Sequence, residues 1–204
     1  MKLAFGAWAA IVAGGFVLLS AHGAVPGRAA AAHATMPVSG SELAASLRRS
    51  GRAALVMVAH PACPCSRATL RELHRLVASS PRVVEVVILF AGTGSRALRD
   101  RVAIELRELA GAIPGARIVD DPGGVEASRL GARTSGTILF YDRSGALRFA
   151  GGITSSRGHE GDSAGSAVLR ELFLEASSSD AGGGPSTARA AIYGCPLEER
   201  ENDE

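Results

Sequence analysis

The chain has 204 residues, 47% hydrophobic and 21% charged, which suits one globular domain with tails and excludes disorder, collagen, coiled coil and a polytopic membrane protein. Its 22 basic and 20 acidic residues leave a net charge of +2, and 4% of residues are aromatic. Nucleic acid is therefore not an expected partner, because neither a basic footprint nor a stacking platform is present. Three cysteines are too few for the disulfide scaffold of a small secreted protein.

Lys2 is the only charged residue before Arg28, and between them runs an apolar stretch with Phe5, Trp8, Ile11, Phe16, Leu18 and Leu19. Its length suits a secretory signal or a short membrane anchor. Ala21 and Gly23 fit the small-residue rule for cleavage after Gly23. Residues 1–25 thus read as a signal peptide or a membrane anchor, and the two alternatives stand side by side. Either places the domain outside the cytoplasm, in a periplasm or on the outer face of the cytoplasmic membrane, where disulfides persist. Residues 26–40, rich in Ala, Pro and Gly, read as a linker.

The domain is expected over residues 41–176. Ser41 is placed to cap a short helix from Glu42 to Arg49. Ala53 to Ala59 is a continuous apolar run, the pattern of a strand buried on both faces. Leu70, Leu73, Leu76 and Val77 then predict a helix over 66–78. A second apolar strand spans Val83 to Phe90, and a helix follows from Ser95 to Leu109. Ala116 to Val119 reads as a short strand, Asp120 to Gly124 as a turn and Val125 to Leu130 as a short helix. Thr137 to Asp142 and Leu147 to Gly151 alternate and flank Arg143-Ser144-Gly145, a hairpin signal. The last helix is expected over 164–176, with Val168, Leu172 and Phe173 inward. Residues 177–204 read as a flexible tail carrying Cys195. Strands alternating with helices, then a hairpin, predict an α/β fold with a mixed central sheet and helices on both faces.

The chemistry concentrates at His60-Pro61-Ala62-Cys63-Pro64-Cys65, where the first core strand gives way to a helix. A helix N-terminus carries unpaired N–H groups and partial positive charge. A thiolate there is stabilised, so Cys63 is the expected nucleophile. Pro64 shapes the turn and needs no N–H partner. His60 and His159 are candidate bases or ligands, against a bland reading as turn and loop residues. Arg157 and Asp162 are expected to pair and shape their loop. Cys195 lies between Gly194 and Pro196, and a lone tail thiol in an oxidising compartment implies a bond. A Cys63–Cys65 disulfide would close a very small ring across Pro64. Cys195 is therefore expected near the Cys63/Cys65 turn as a resolving partner.

The element order with a cysteine after the first core strand resembles the thioredoxin-like superfamily, a three-layer α/β/α fold. Cys63 to Leu70 is similar to the Cys-Pro-Pro-Cys-Arg-Ala-x-Leu segment of extracytoplasmic thioredoxin-like proteins. Matched without gaps, Cys63 takes the attacking position, Cys65 a middle one and Ser66 that of the resolving cysteine. His60 to Ala68, Thr134-Ser135-Gly136, Gly151 to Thr154, Arg157 to Asp162 and Gly194 to Leu197 together resemble the bacterial RedB-type thioredoxin-like family. Two features depart from ordinary thioredoxins: there is no Cys-x-x-Cys, and Ser135-Gly136 stands where a proline is expected. The resemblance implies a substrate-positioning role for Ser135 and Gly136.

Three functions follow as expectations. The first is an extracytoplasmic thiol–disulfide oxidoreductase with a Cys-Pro-Cys turn and no cofactor. Cys63 would attack, Cys65 or Cys195 would resolve the mixed disulfide, and the partners would be protein thiols or disulfides or a small thiol. The second resembles thioredoxin-like copper chaperones, with Cys63, Cys65, His159 and Cys195 as ligands for a soft ion. The third is a peroxiredoxin-like peroxidase using Cys63. The membrane is a partner only if the N-terminal segment is retained.

Overall fold

The structure is a computed structural model that describes residues 2–37, 39–80, 84–92, 101–177 and 186–197. A helix, α1, spans Lys2–Ala24. Its Phe5–Ala24 stretch has a mean hydropathy of 1.6 and none of it is buried against the protein. It is long and apolar enough to cross a membrane. After it come α2 (Glu42–Arg49), β1 (Ala53–Ala59), α3 (Ser66–Ala78), β2 (Val84–Ala91) and α4 (Arg101–Gly111). The chain continues through β3 (Arg117–Asp121), α5 (Val125–Arg129), β4 (Thr137–Tyr141), β5 (Leu147–Gly151), α6 (Ala164–Ser177) and β6 (Ala188–Arg189).

The six strands form one sheet in the order β3-β2-β1-β4-β5-β6. β1 pairs parallel with β2 and antiparallel with β4, so it sits inside the sheet and is buried along its whole length. That explains its unbroken apolar sequence. Leu55 and Met57 face a core closed by α3, α4 and α6, including Leu70, Leu73, Leu106, Leu169 and Phe173. Val56 and Val58 face the opposite core, with Leu43 and Leu47 of α2 and Ala127 of α5. The expected three layers are present. Ser41 caps α2 as expected, its Oγ accepting from the Ala44 N–H at 3.0 Å. The hairpin between β4 and β5 is closed by Asp142, whose Oδ1 accepts from the N–H groups of Ser144 and Ala146.

Three expectations need correction. The strand expected at Ala116–Val119 is displaced to Arg117–Asp121, where it pairs with Val87–Ala91 of β2. Part of the expected flexible tail is strand: β6 pairs parallel with β5, matching Phe149 to Ala188 and Ala150 to Arg189. Residues 26–37, which read as linker, pack along the domain. The N–H groups of Gly27, Ala31 and Met36 donate to the carbonyls of Ile192, Gly131 and Gly145, and Ala30 and Met36 are buried. Small side chains leave no periodic signal, yet they let one backbone approach another closely. The first six residues of the helix expected from Ser95, and 178–185 and 198–204 of the tail, lie outside the described residues.

Candidate active site

β1 ends at Ala59, and the next seven residues fold into a hydrogen-bonded turn. The His60 N–H donates to Ser135 Oγ at 2.7 Å, and the Ala62 N–H donates to His60 Nδ1 at 3.2 Å. The Cys63 N–H donates to the His60 carbonyl at 3.1 Å. The N–H groups of Ser66 and Arg67 donate back to the carbonyls of Cys63 and Pro64. Cys65 takes the N-cap position of α3, with no side-chain cap bond. Pro64 is exposed at the tip, while Cys63 is completely buried just before the helix start.

The tail supplies the rest of the site. The Ser135 N–H donates to the Cys195 carbonyl at 2.8 Å, and the Leu197 N–H donates to the Arg133 carbonyl at 3.1 Å. Thr134 and Pro196 form the antiparallel bridge between these bonds. Arg157 Nη1 donates to the Gly194 carbonyl at 2.5 Å. These bonds bring Cys195 Sγ to 2.9 Å from Cys63 Sγ, with both residues as free cysteines. The sulfurs of Cys63, Cys65 and Cys195 all lie within 4.8 Å of one another. The sequence expectation that Cys195 approaches the turn therefore matches the geometry.

The electrostatics divide the three thiols. The contact with the Cys195 thiol pulls the Cys63 pKa far below the ordinary thiol range. Burial opposes that shift, and the Cys195 backbone and the Ser66 and Ser135 hydroxyls reinforce it. The same contact pushes Cys195 up, helped by burial. Burial and then the Cys63 charge raise Cys65, while Arg157 works in the opposite direction. The Ser66 and Ser135 hydroxyls are 2.7 Å apart. They form a small polar cradle beside a buried sulfur.

Close backbone contact explains the glycine motifs. Gly136 has φ +89° and its N–H donates to the Val58 carbonyl at 2.8 Å, which ties the 134–136 loop to β1 beside Cys63. A Cβ on Gly151 would lie 2.6 Å from Ala190 N, and one on Gly152 would lie 2.6 Å from Ala191 O. The Gly151-Gly152 pair is thus the floor on which the tail runs.

Two loop expectations change. Arg157 holds the tail, and Asp162 pairs with Arg170 instead, at 3.5 Å. Arg157 was read as a loop-shaping residue, and its contact with the Gly194 carbonyl is what sequence reading missed. Glu160 binds Arg71 and Arg75 at 2.7 Å each and so clamps the loop to α3. His159 is exposed, and neither it nor His60 belongs to the three-sulfur group among the described residues.

A mixed sheet with β1 between β2 and β4, helices on both faces and a buried cysteine at the β1–α3 junction decides the architecture. The fold is thioredoxin-like. No protein-family model and no curated protein matches the chain. Among solved structures, a hypothetical protein of Sinorhizobium meliloti aligns over 87% of this chain and 96% of its own, at 20% identity and TM-score 0.58. An uncharacterized conserved protein of Geobacillus kaustophilus aligns over 88% and 95%, at 18% identity and TM-score 0.58. A secreted disulfide oxidoreductase of Mycobacterium tuberculosis aligns over 64% and 85%, at 18% identity and TM-score 0.44. In this thioredoxin-like fold the sulfur 2.9 Å from Cys63 Sγ comes from the tail, 132 positions away.

Proposed function

We propose that the protein is an extracytoplasmic thiol–disulfide oxidoreductase that exchanges with protein thiols or disulfides. The observation that carries this reading is the buried Cys63 Sγ at 2.9 Å from Cys195 Sγ, at the start of α3. Cys63 thiolate attacks one sulfur of a partner disulfide. A Cys63–partner bond forms and the other partner sulfur leaves as thiolate. Cys195 then loses its proton to solvent and attacks Cys63 Sγ, forming the Cys63–Cys195 disulfide. The first partner sulfur leaves as thiolate, so the partner gains two electrons and this chain loses them. The reverse sequence oxidises a partner dithiol.

Alkylation by iodoacetamide, followed residue by residue across pH, tests it. Cys63 is expected to react rapidly below pH 7, where a free thiol with a pKa of about 8.5 is mostly protonated. Cys65 and Cys195 are expected to react only at alkaline pH, since both are shifted upward. A Cys63 profile rising at or above the free-thiol value removes the nucleophile assignment.

The exposed apolar α1 supports the compartment. A reporter enzyme that works only outside the cytoplasm, fused after Glu204, is expected to be active; activity only of a cytoplasmic reporter would place the domain inside.

The cluster of three sulfurs within 4.8 Å supports a second reading, a Cu(I) site formed by Cys63, Cys65 and Cys195. Thiolates are soft ligands and suit Cu(I). The reduced protein is expected to take up one Cu(I) per chain with three sulfur neighbours by X-ray absorption, and Cys195→Ser to leave two. Uptake unchanged by Cys195→Ser excludes this site.

A further inference from the structure

The tail does more than deliver a sulfur. Residues 195–197 run antiparallel to 133–135 in an isolated β-bridge, joined through the Ser135 N–H, the Arg133 carbonyl and the Thr134–Pro196 pair, as the start of an added strand would be. An added strand is held by backbone bonds that any sequence can make, and selected by side-chain fit. All three polar anchors here, Arg157 included, grip backbone atoms of the tail. The fit is restrictive at one place. A Cβ on Gly194 would fall inside 3.0 Å of the Ser135 carbonyl oxygen, a backbone atom fixed by the loop. Pro196 lacks an N–H, and the two pairing hydrogen bonds require none from it.

We propose that residues 194–197 are a built-in occupant of an edge that receives a partner polypeptide, and that the partner bears glycine directly before its reactive cysteine. This rests on the thiol–disulfide reading above and names its substrate class. Tail and partner compete, because both require the Ser135 N–H and the Arg133 carbonyl. A tethered occupant has an effective concentration on the order of millimolar. A free peptide at micromolar concentration therefore meets an occupied edge. When the tail returns, Cys195 thiolate attacks Cys63 Sγ, the Cys63–Cys195 bond forms, and the partner leaves as thiolate from both Cys63 and the edge. Resolution and release are one movement.

The test uses two peptides, acetyl-Tyr-Gly-Cys-Pro-Leu-amide and its Val-Cys counterpart, each with its cysteine in a disulfide with thionitrobenzoate. Attack by Cys63 on the peptide sulfur releases coloured thionitrobenzoate, and mass spectrometry places the adduct on Cys63. The proteins are the reduced full chain, Gly194→Val, which unseats the tail by collision, and Leu197→Pro, which removes the N–H donated to Arg133. Unseating the tail also removes the Cys195 thiol that lowers the Cys63 pKa, so each rate is divided by the rate of the same protein with dithiobis(nitrobenzoate). In both variants this ratio for the Gly-Cys peptide is expected to be at least tenfold above that of the unaltered chain, and at least tenfold above the ratio for the Val-Cys peptide. Equal ratios for the two peptides, or no rise of the ratio in either variant, overturn the inference. Dithiobis(nitrobenzoate), a small disulfide that needs no docking, separates the two failures. Reaction with it but no peptide preference leaves the oxidoreductase reading standing, whereas no reaction at Cys63 removes both.

Discussion

Cys63→Ser is expected to lower the rate of disulfide exchange by at least about 10³-fold, because it removes the only thiol whose surroundings favour the anion. Cys195→Ser is expected to behave differently. It leaves the attacking sulfur in place and removes its neighbour at 2.9 Å, so the first exchange proceeds and the mixed disulfide with the partner accumulates. Cys65→Ser serves as the comparison: if Cys65 resolves, the trapped complex accumulates there instead. Non-reducing electrophoresis after incubation with a disulfide-bonded protein reads all three variants. The Cys195 thiol also lowers the Cys63 pKa, so in Cys195→Ser the alkylation profile of Cys63 moves to higher pH. Unchanged exchange in Cys63→Ser would move the nucleophile to another residue.

The second large effect is on stability. Cys63 and Cys195 are 132 positions apart, so a bond between them closes most of the domain into one loop. Restricting the unfolded chain over a loop of that order stabilises the fold by about 2–5 kcal/mol. With a urea dependence of about 1–3 kcal/mol per molar, the unfolding midpoint of the oxidised protein is expected to lie about 0.7–5 M above that of the reduced protein. Cys195→Ser is expected to show one midpoint under both conditions, equal within error to the reduced value. The two sulfurs are already neighbours in the folded state, so little movement opposes the closure. Peptide mapping identifies the bond, a turn peptide joined to a tail peptide. Equal midpoints for oxidised and reduced protein would mean that the long loop is not closed.

Much of the scaffold was legible along the chain. The run Ala53–Ala59 is apolar at every position because β1 is covered on both faces. Leu70, Leu73 and Leu76 recur at helical spacing because one stripe of α3 meets that core. Arg143-Ser144-Gly145 announced a turn because the local bonds to Asp142 and the positive φ of Gly145 are independent of the rest of the fold. Cys63 could be assigned chemistry for the same reason, since a strand ending and a helix beginning around it are neighbouring events. These features are determined over a few residues by backbone preference and by burial with a fixed period.

The tertiary structure alone decided how the site is closed. That Arg157 grips the Gly194 carbonyl, and that Asp162 turns to Arg170, depends on where two loops far apart in sequence meet. Residues 26–37 and 186–197 have the composition of linkers, yet they lie against the domain through backbone bonds and glycine floors. A two-residue strand such as β6 is too short to show alternation, and packing between small residues shows no period. The chain could therefore show that Cys195 needed a partner. The distance of 2.9 Å to Cys63 was settled by the loop before β4, where the Ser135 N–H and the Arg133 carbonyl bond the tail backbone beside the buried sulfur.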